Sequence, residues 1–99
     1  MILAGDIGAT NTRLALFANE DGPLICVAEA TFRSQHYPNL DVIVQEFVAS
    51  HRVAISAACF GVAGPVQQGR CETTNLAWVV DAAVLASVLN IERVWLIND

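Results

Sequence analysis

The stretch GDIGATNTR, residues 5–13, sets two glycines, an acid and three small polar residues between the apolar runs MILA and LALFA. Glycine at positions 5 and 8 admits backbone with φ > 0 and lets another molecule approach the main chain closely. Consecutive N–H groups in such a turn form a concave anion site, to which the hydroxyls of Thr10 and Thr12 and the Asn11 amide add neutral donors. Phosphate suits that site. The Asp6 carboxylate repels phosphate unless a cation lies between them, and a hard oxygen ligand of this kind suits Mg2+ with its retained waters. A plainer reading of the same residues is a Gly-Ala-Thr-Asn hairpin turn in which the acid caps its own backbone. Far along the chain, Asn98-Asp99 offers an amide that can hold a hydroxyl and a carboxylate that can take its proton. The same pair after a strand also makes an ordinary turn.

Elements must place these two stretches. MILAG (1–5) and TRLALFA (12–18) read as strands around the opening turn, so residues 5 to 12 are expected to connect them. The turn signal Asn19-Glu20-Asp21-Gly22-Pro23 leads to a third run, LICVAEATF, completing an antiparallel meander. From Asn39 the period changes: Leu40, Ile43, Val44, Phe47 and Val48 recur at helical spacing, capped by Asn39 and ending near Ser50. VAISAACFGVAG, uncharged and rich in small and β-branched residues, reads as a strand covered on both faces, stopping at Gly64-Pro65. Asp81 caps a second helix bearing Val84, Leu85, Val88 and Leu89 on one face and ending at Asn90. ERVWLIND reads as a further buried strand. The order is β-β-β-α-β-(hairpin or loop)-α-β, an α/β chain whose crossovers let strands run parallel. A strand that delivers Asn98 and Asp99 to the carboxyl edge of a sheet, where open α/β sheets put their ligand crevice, reads as the front piece of a longer protein.

Composition narrows the chemistry. Ninety-nine residues, 55% hydrophobic, allow one compact domain at most. Ten acids against five arginines give a net charge of -5, the wrong sign for binding nucleic acid or an anionic membrane. The absence of lysine excludes a lysine Schiff base, and there is no GxxxxGK[ST] stretch to form a P-loop. Cys26, Cys59 and Cys71 lack paired spacing and read as reduced thiols of a cytoplasmic protein. No signal peptide or membrane span is read from MILAGD or from any later window.

Three stretches in order, GDIGATNTRLAL, TTNLAW at 73–78 and LIND at 96–99, resemble the N-terminal part of the bacterial-type glucokinases, within the superfamily of hexokinases, actin and sugar kinases. The resemblance covers essentially the whole chain. It implies a ribonuclease H-like (actin-like ATPase) domain, with a mixed β-β-β-α-β-α-β sheet flanked by helices. Residues 1–99 would be part of the N-terminal lobe of a two-lobed enzyme that closes over a cleft. The implied reaction is transfer of the ATP γ-phosphate to the 6-hydroxyl of glucose, with ATP and Mg2+ as cofactors. Gly5, Asp6, Ile7, Gly8, Ala9 and Thr10 match the family's first phosphate loop, Asp6 acting on the Mg-nucleotide through water. Asn98 matches a sugar-hydroxyl ligand, Asp99 a sugar ligand and the catalytic base, and Thr74–Trp78 belongs to the sugar-side lobe.

One departure is Ala9, where the family usually has a second glycine in D-x-G-G-T. A left-handed backbone there would cost alanine about 1 kcal/mol and remodel the loop. The resemblance implies that the remaining sugar ligands and the adenine-binding lobe would lie beyond residue 99, so a piece of this length is expected to be inactive alone. Its open edge is expected to expose apolar surface and favour a homo-oligomer.

Other residues carry plainer expectations. His36 and His51 read as surface residues, Arg13 as a partner of solvent or an acid, and Trp78 and Trp95 as core fillers whose indole N–H groups need acceptors. Two other functions share parts of the pattern. A nucleotide-gated interaction protein of the actin or chaperone kind would keep the opening loop but needs no Asn-Asp pair. A sugar-sensing regulator would keep the sugar ligands but has no use for Asp6.

Overall fold

The structure is a computed structural model that describes residues 1–18 and 21–98. Three strands come first: β1 (Ile2–Ile7), β2 (Asn11–Ala18) and β3 (Ile25–Arg33). Helix α1 (Leu40–His51) leads to β4 (Ala57–Val62), and a short hairpin of β5 (Arg70–Glu72) and β6 (Val79–Asp81) runs straight into α2 (Ala82–Leu89). Strand β7 (Arg93–Asn98) follows. The five long strands form one sheet in the order β3-β2-β1-β4-β7. The meander β1-β2-β3 is antiparallel, whereas β1 pairs with β4 and β4 with β7 in parallel. The mixed α/β architecture read from the pattern is therefore the one observed, and the segment left open as hairpin or loop is a hairpin.

The starts of both helices and the end of α2 carry the caps expected of them, and α1 is closed by Arg52, which the sequence did not mark. Asn39 Oδ1 accepts from the Val42 N–H at 3.1 Å, and Asp81 Oδ1 accepts from the N–H groups of Ala83 at 2.9 Å and Val84 at 3.4 Å. Arg52 at φ 51° and Asn90 at φ 56° close the two helices in the left-handed region. Asp81 also pairs with Arg70 Nε at 3.7 Å, across the β5-β6 register.

Both helices pack on one face of the sheet. Leu3, Ile7, Leu14, Leu16, Phe60 and Val62 point to that face and meet Leu40, Ile43, Val44 and Phe47 of α1 and Leu85 of α2 in a single core. The opposite face is open, and this corrects the expectation that β4 and β7 are buried on both sides. Trp95 is 53% and Ile97 55% exposed, while Cys59 is half-buried. A run of small apolar residues is suited to cover on both faces, but the two α-helices among the described residues occupy the same one. Trp95 is thus no core filler; Trp78 is one, its Nε1–H donating to the Tyr37 carbonyl at 3.1 Å. His36 and His51 are exposed, as anticipated. The turn signal at 19–23 is observed at Asp21 and Gly22, both at positive φ; Asn19 and Glu20 lie outside the described residues.

Candidate functional site

Strand β1 runs further than the spacing of its glycines suggested. It includes Gly5, Asp6 and Ile7, so the turn to β2 is only Gly8-Ala9-Thr10, closed by a bond from the Gly8 N–H to the Asn11 carbonyl at 2.9 Å. Gly5 and Gly8 are not among the residues with positive φ, so backbone freedom is not what either supplies. Their demand is for space. A Cβ at Gly5 would lie 2.5 Å from Phe60 Cδ1, and one at Gly8 3.0 Å from the Asn11 carbonyl. Ala9 likewise lacks positive φ, so alanine brings none of the left-handed strain anticipated for that position.

Alternation along β1 turns Leu3 and Ile7 into the core and Asp6 out to solvent. Asp6 sits opposite Arg13 of β2 on one side and Gly61 of β4 on the other. A hollow of about 300 Å³ on the open face of the sheet is bordered by Asp6, Arg13, Phe17 and Glu29. The same alternation on β2 turns Thr12 inward with Leu14 and Leu16, where it is fully buried. Its hydroxyl lies 2.9 Å from that of Ser34, so Thr12 is not one of the donors offered to an outside anion. Thr10 and Asn11 remain exposed at the tip, and the N–H groups of Ala9 and Thr10 take no backbone partner among the described residues.

Asn98 ends β7 in register with Val62 of β4, which is in register with Ile7 of β1. The carboxyl ends of β1, β4 and β7 therefore lie in a row, with Asn98 about 10 Å from the β1 end at the usual strand spacing. Asn98 is exposed there. Asp99 lies outside the described residues. The loop between β5 and β6 joins the same edge through the Thr74 N–H, which donates to the Ala63 carbonyl just past β4 at 3.0 Å. Within that loop the Thr73 hydroxyl bonds the carbonyls of Leu76 at 2.9 Å and Trp78 at 3.0 Å, while Asn75 turns the chain at φ 60°. Gly64 takes φ 144° and faces Cys71 and the Glu72 carbonyl, where a Cβ would meet both at 3.2 Å.

No group of three or more His, Cys, Asp or Glu residues among the described residues could hold a metal ion by itself. Burial raises the Cys71 pKa, with Glu72 adding to the effect, so this thiol stays neutral and serves packing. Asp41, in the first turn of α1, is also raised, by burial and by Asp81. The residue that sequence reasoning missed is Ser34. Continuing the alternation from Leu16 and Leu14 back to Thr12 would have flagged a buried hydroxyl needing a partner; nothing in FRSQHYP identifies that partner.

A mixed sheet with an acid on its first strand, a tight turn after it and the exposed Asn98 at the carboxyl end of parallel strand β7 fits the actin-like ATPase fold shared by sugar kinases. A solved glucokinase from an Antarctic psychrotroph superposes with a TM-score of 0.88 at 28% identity, covering 99% of this chain and 32% of that one. A structure from Cytophaga hutchinsonii, at 18% identity, shares the fold with a TM-score of 0.76 over 99% of this chain and 36% of its own. The chain belongs to the glucokinase family, whose model matches residues 3–99. The glucokinase of Nostoc punctiforme is 39% identical over 100% of this chain and 30% of its own length. That of Synechocystis is 41% identical over 98% of this chain and 30% of its own. The chain thus spans about 30% of the length of these relatives. No helix among the described residues is long and apolar enough to cross a membrane.

Proposed function

We propose that these residues are part of the N-terminal lobe of a two-lobed glucokinase that transfers the γ-phosphoryl group of Mg-ATP to the 6-hydroxyl of glucose. The observation that carries this reading is the gathering of the Gly8-Ala9-Thr10 turn, the Thr74 loop and Asn98 at one edge of the sheet, in a chain matched by the glucokinase family from residue 3 to 99. Catalysis of such a transfer is mostly positioning and charge stabilisation. The free N–H groups of the turn and the Thr10 hydroxyl would hold donor phosphate oxygens. Gly5, Asp6 and Ile7 lead the chain into the turn, and the exposed Asp6 carboxylate suits Mg2+, which keeps several waters and is held by few carboxylates together with substrate phosphates. When bound, Mg2+ neutralises phosphate charge. Asn98 would hold the sugar through its amide, and Asp99 would accept the proton of the attacking hydroxyl.

In the whole protein the open face carrying Trp95 and Ile97 would be covered by the remainder of the fold. In a 99-residue piece expressed alone, the same surface favours self-association. A cytoplasmic location accords with three free cysteines. A coupled phosphorylation assay on the complete protein, with a panel of hexoses and with ATP, ADP and polyphosphate as donors, tests the reading. Failure to phosphorylate any hexose would end it.

Asp6→Asn separates the donor end from the sugar end. Removing the charge that faces the hydrated cation is expected to raise the KM for Mg-ATP about 10- to 100-fold, the range for outer ligands of a bound metal. The KM for glucose should stay within about twofold, since no sugar contact is assigned to Asp6. Initial rates with each substrate varied in turn give the answer, and equal changes in both KM values would remove Asp6 from the donor site.

A further inference from the structure

Thr12 and Ser34 are the buried polar side chains among the described residues, each 0% exposed. The Ser34 hydroxyl donates to the Gly8 carbonyl at 2.6 Å, and a carbonyl can only accept. Its one proton is thereby used, so the Thr12 hydroxyl is the donor in the 2.9 Å contact between the two side chains. The Ser34 backbone N–H also donates to the Thr10 carbonyl at 3.0 Å. Ser34 therefore pins the turn on both sides of Ala9. In a trans peptide the C=O and N–H point in opposite directions. Holding the Gly8 carbonyl against Ser34 turns the Ala9 N–H away from Ser34, towards the outside of the turn. The brace is itself fixed, because the Tyr37 N–H donates to the Ser34 carbonyl at 3.1 Å and the Tyr37 carbonyl accepts from Trp78 Nε1 at 3.1 Å.

We propose that Ser34 is a positioning residue for the donor phosphates: it draws the turn carbonyls inward so that the Ala9 N–H faces the nucleotide. This rests on the kinase reading above. The residue touches no substrate and acts through the peptide between Gly8 and Ala9.

The test compares three variants of the complete protein. Ser34→Ala releases the Gly8 carbonyl and is expected to raise the KM for Mg-ATP about tenfold, the scale of one lost buried hydrogen bond. The KM for glucose stays within about twofold. Thr12→Val also removes a buried bond and lowers the thermal midpoint, but it leaves the Ser34 to Gly8 bond in place, so the KM for Mg-ATP stays within about twofold. Ser34→Cys, similar in volume with a weaker donor, falls between wild type and Ser34→Ala and supplies the comparison if the alanine variant does not fold. Equal shifts in KM for Mg-ATP from Ser34→Ala and Thr12→Val would overturn the proposal, as would no shift from Ser34→Ala in an active protein. A wild-type protein that phosphorylates no sugar would instead overturn the kinase reading, and this assignment with it.

Discussion

Asp99→Asn in the complete protein is expected to lower kcat by about 10²- to 10⁴-fold, the usual contribution of a positioned general base. Asparagine keeps nearly the same shape but cannot take the proton from the sugar hydroxyl, so the loss falls on the chemical step. The KM for glucose should change by less than about threefold, because hydrogen bonds to the sugar from Asn98 and from the rest of the cleft remain. The assignment starts from sequence order: Asp99 directly follows Asn98, which ends a strand parallel to β4 at the edge where β1 also ends. Initial-rate measurements on the purified variant decide the matter. A kcat within about threefold of wild type would remove the base role and leave LIND as a sugar-contacting turn.

Much of the architecture was legible because it is written in local chemistry. Asn39 and Asp81 sit one residue before their helices and cap them as their side chains allow, and Asn90 ends α2 in the conformation that asparagine tolerates. The helical spacing of Leu40, Ile43, Val44 and Phe47 matched their burial. What stayed illegible depends on partners distant in sequence. Residue type marks Gly5 and Gly8 as special but not why: neither takes positive φ, and the space each leaves is filled from within the chain, at Gly5 by the Phe60 ring on the neighbouring strand and at Gly8 by the Asn11 carbonyl. Thr12 and Thr10 look alike in GDIGATNTR, yet strand alternation buries one and exposes the other. Ser34 is 26 residues from the carbonyl it holds. Trp95 shows the limit of composition, because its surroundings suit a buried strand while the face it occupies is open.

Gly5→Ala should cost stability even though alanine is ordinarily the better residue in a strand. Relief of glycine's backbone entropy favours alanine by about 0.5–1 kcal/mol. Against this, the new Cβ would lie 2.5 Å from Phe60 Cδ1 and 3.0 Å from Leu14 Cδ2. Phe60 is 0% and Leu14 1% exposed, so neither side chain can swing into solvent to make room. Overpacking of a filled core typically costs about 1–3 kcal/mol, so the clash outweighs the entropy gain and a net loss of about 1–2 kcal/mol is expected. The loss should depend on the Phe60 ring. Phe60→Leu alone leaves a void and destabilises, but combined with Gly5→Ala it gives the new methyl somewhere to go, and the double variant should be more stable than the sum of the single losses predicts. Because Gly5 immediately precedes Asp6, the strand shift that relieves the clash should also raise the KM for Mg-ATP, and Phe60→Leu should reverse part of that rise. Denaturant unfolding of the four proteins measures the coupling. Additive losses within about 0.5 kcal/mol would mean that the Gly5 and Phe60 sites act independently, and that the small residue at position 5 has a cause other than the ring packed against it.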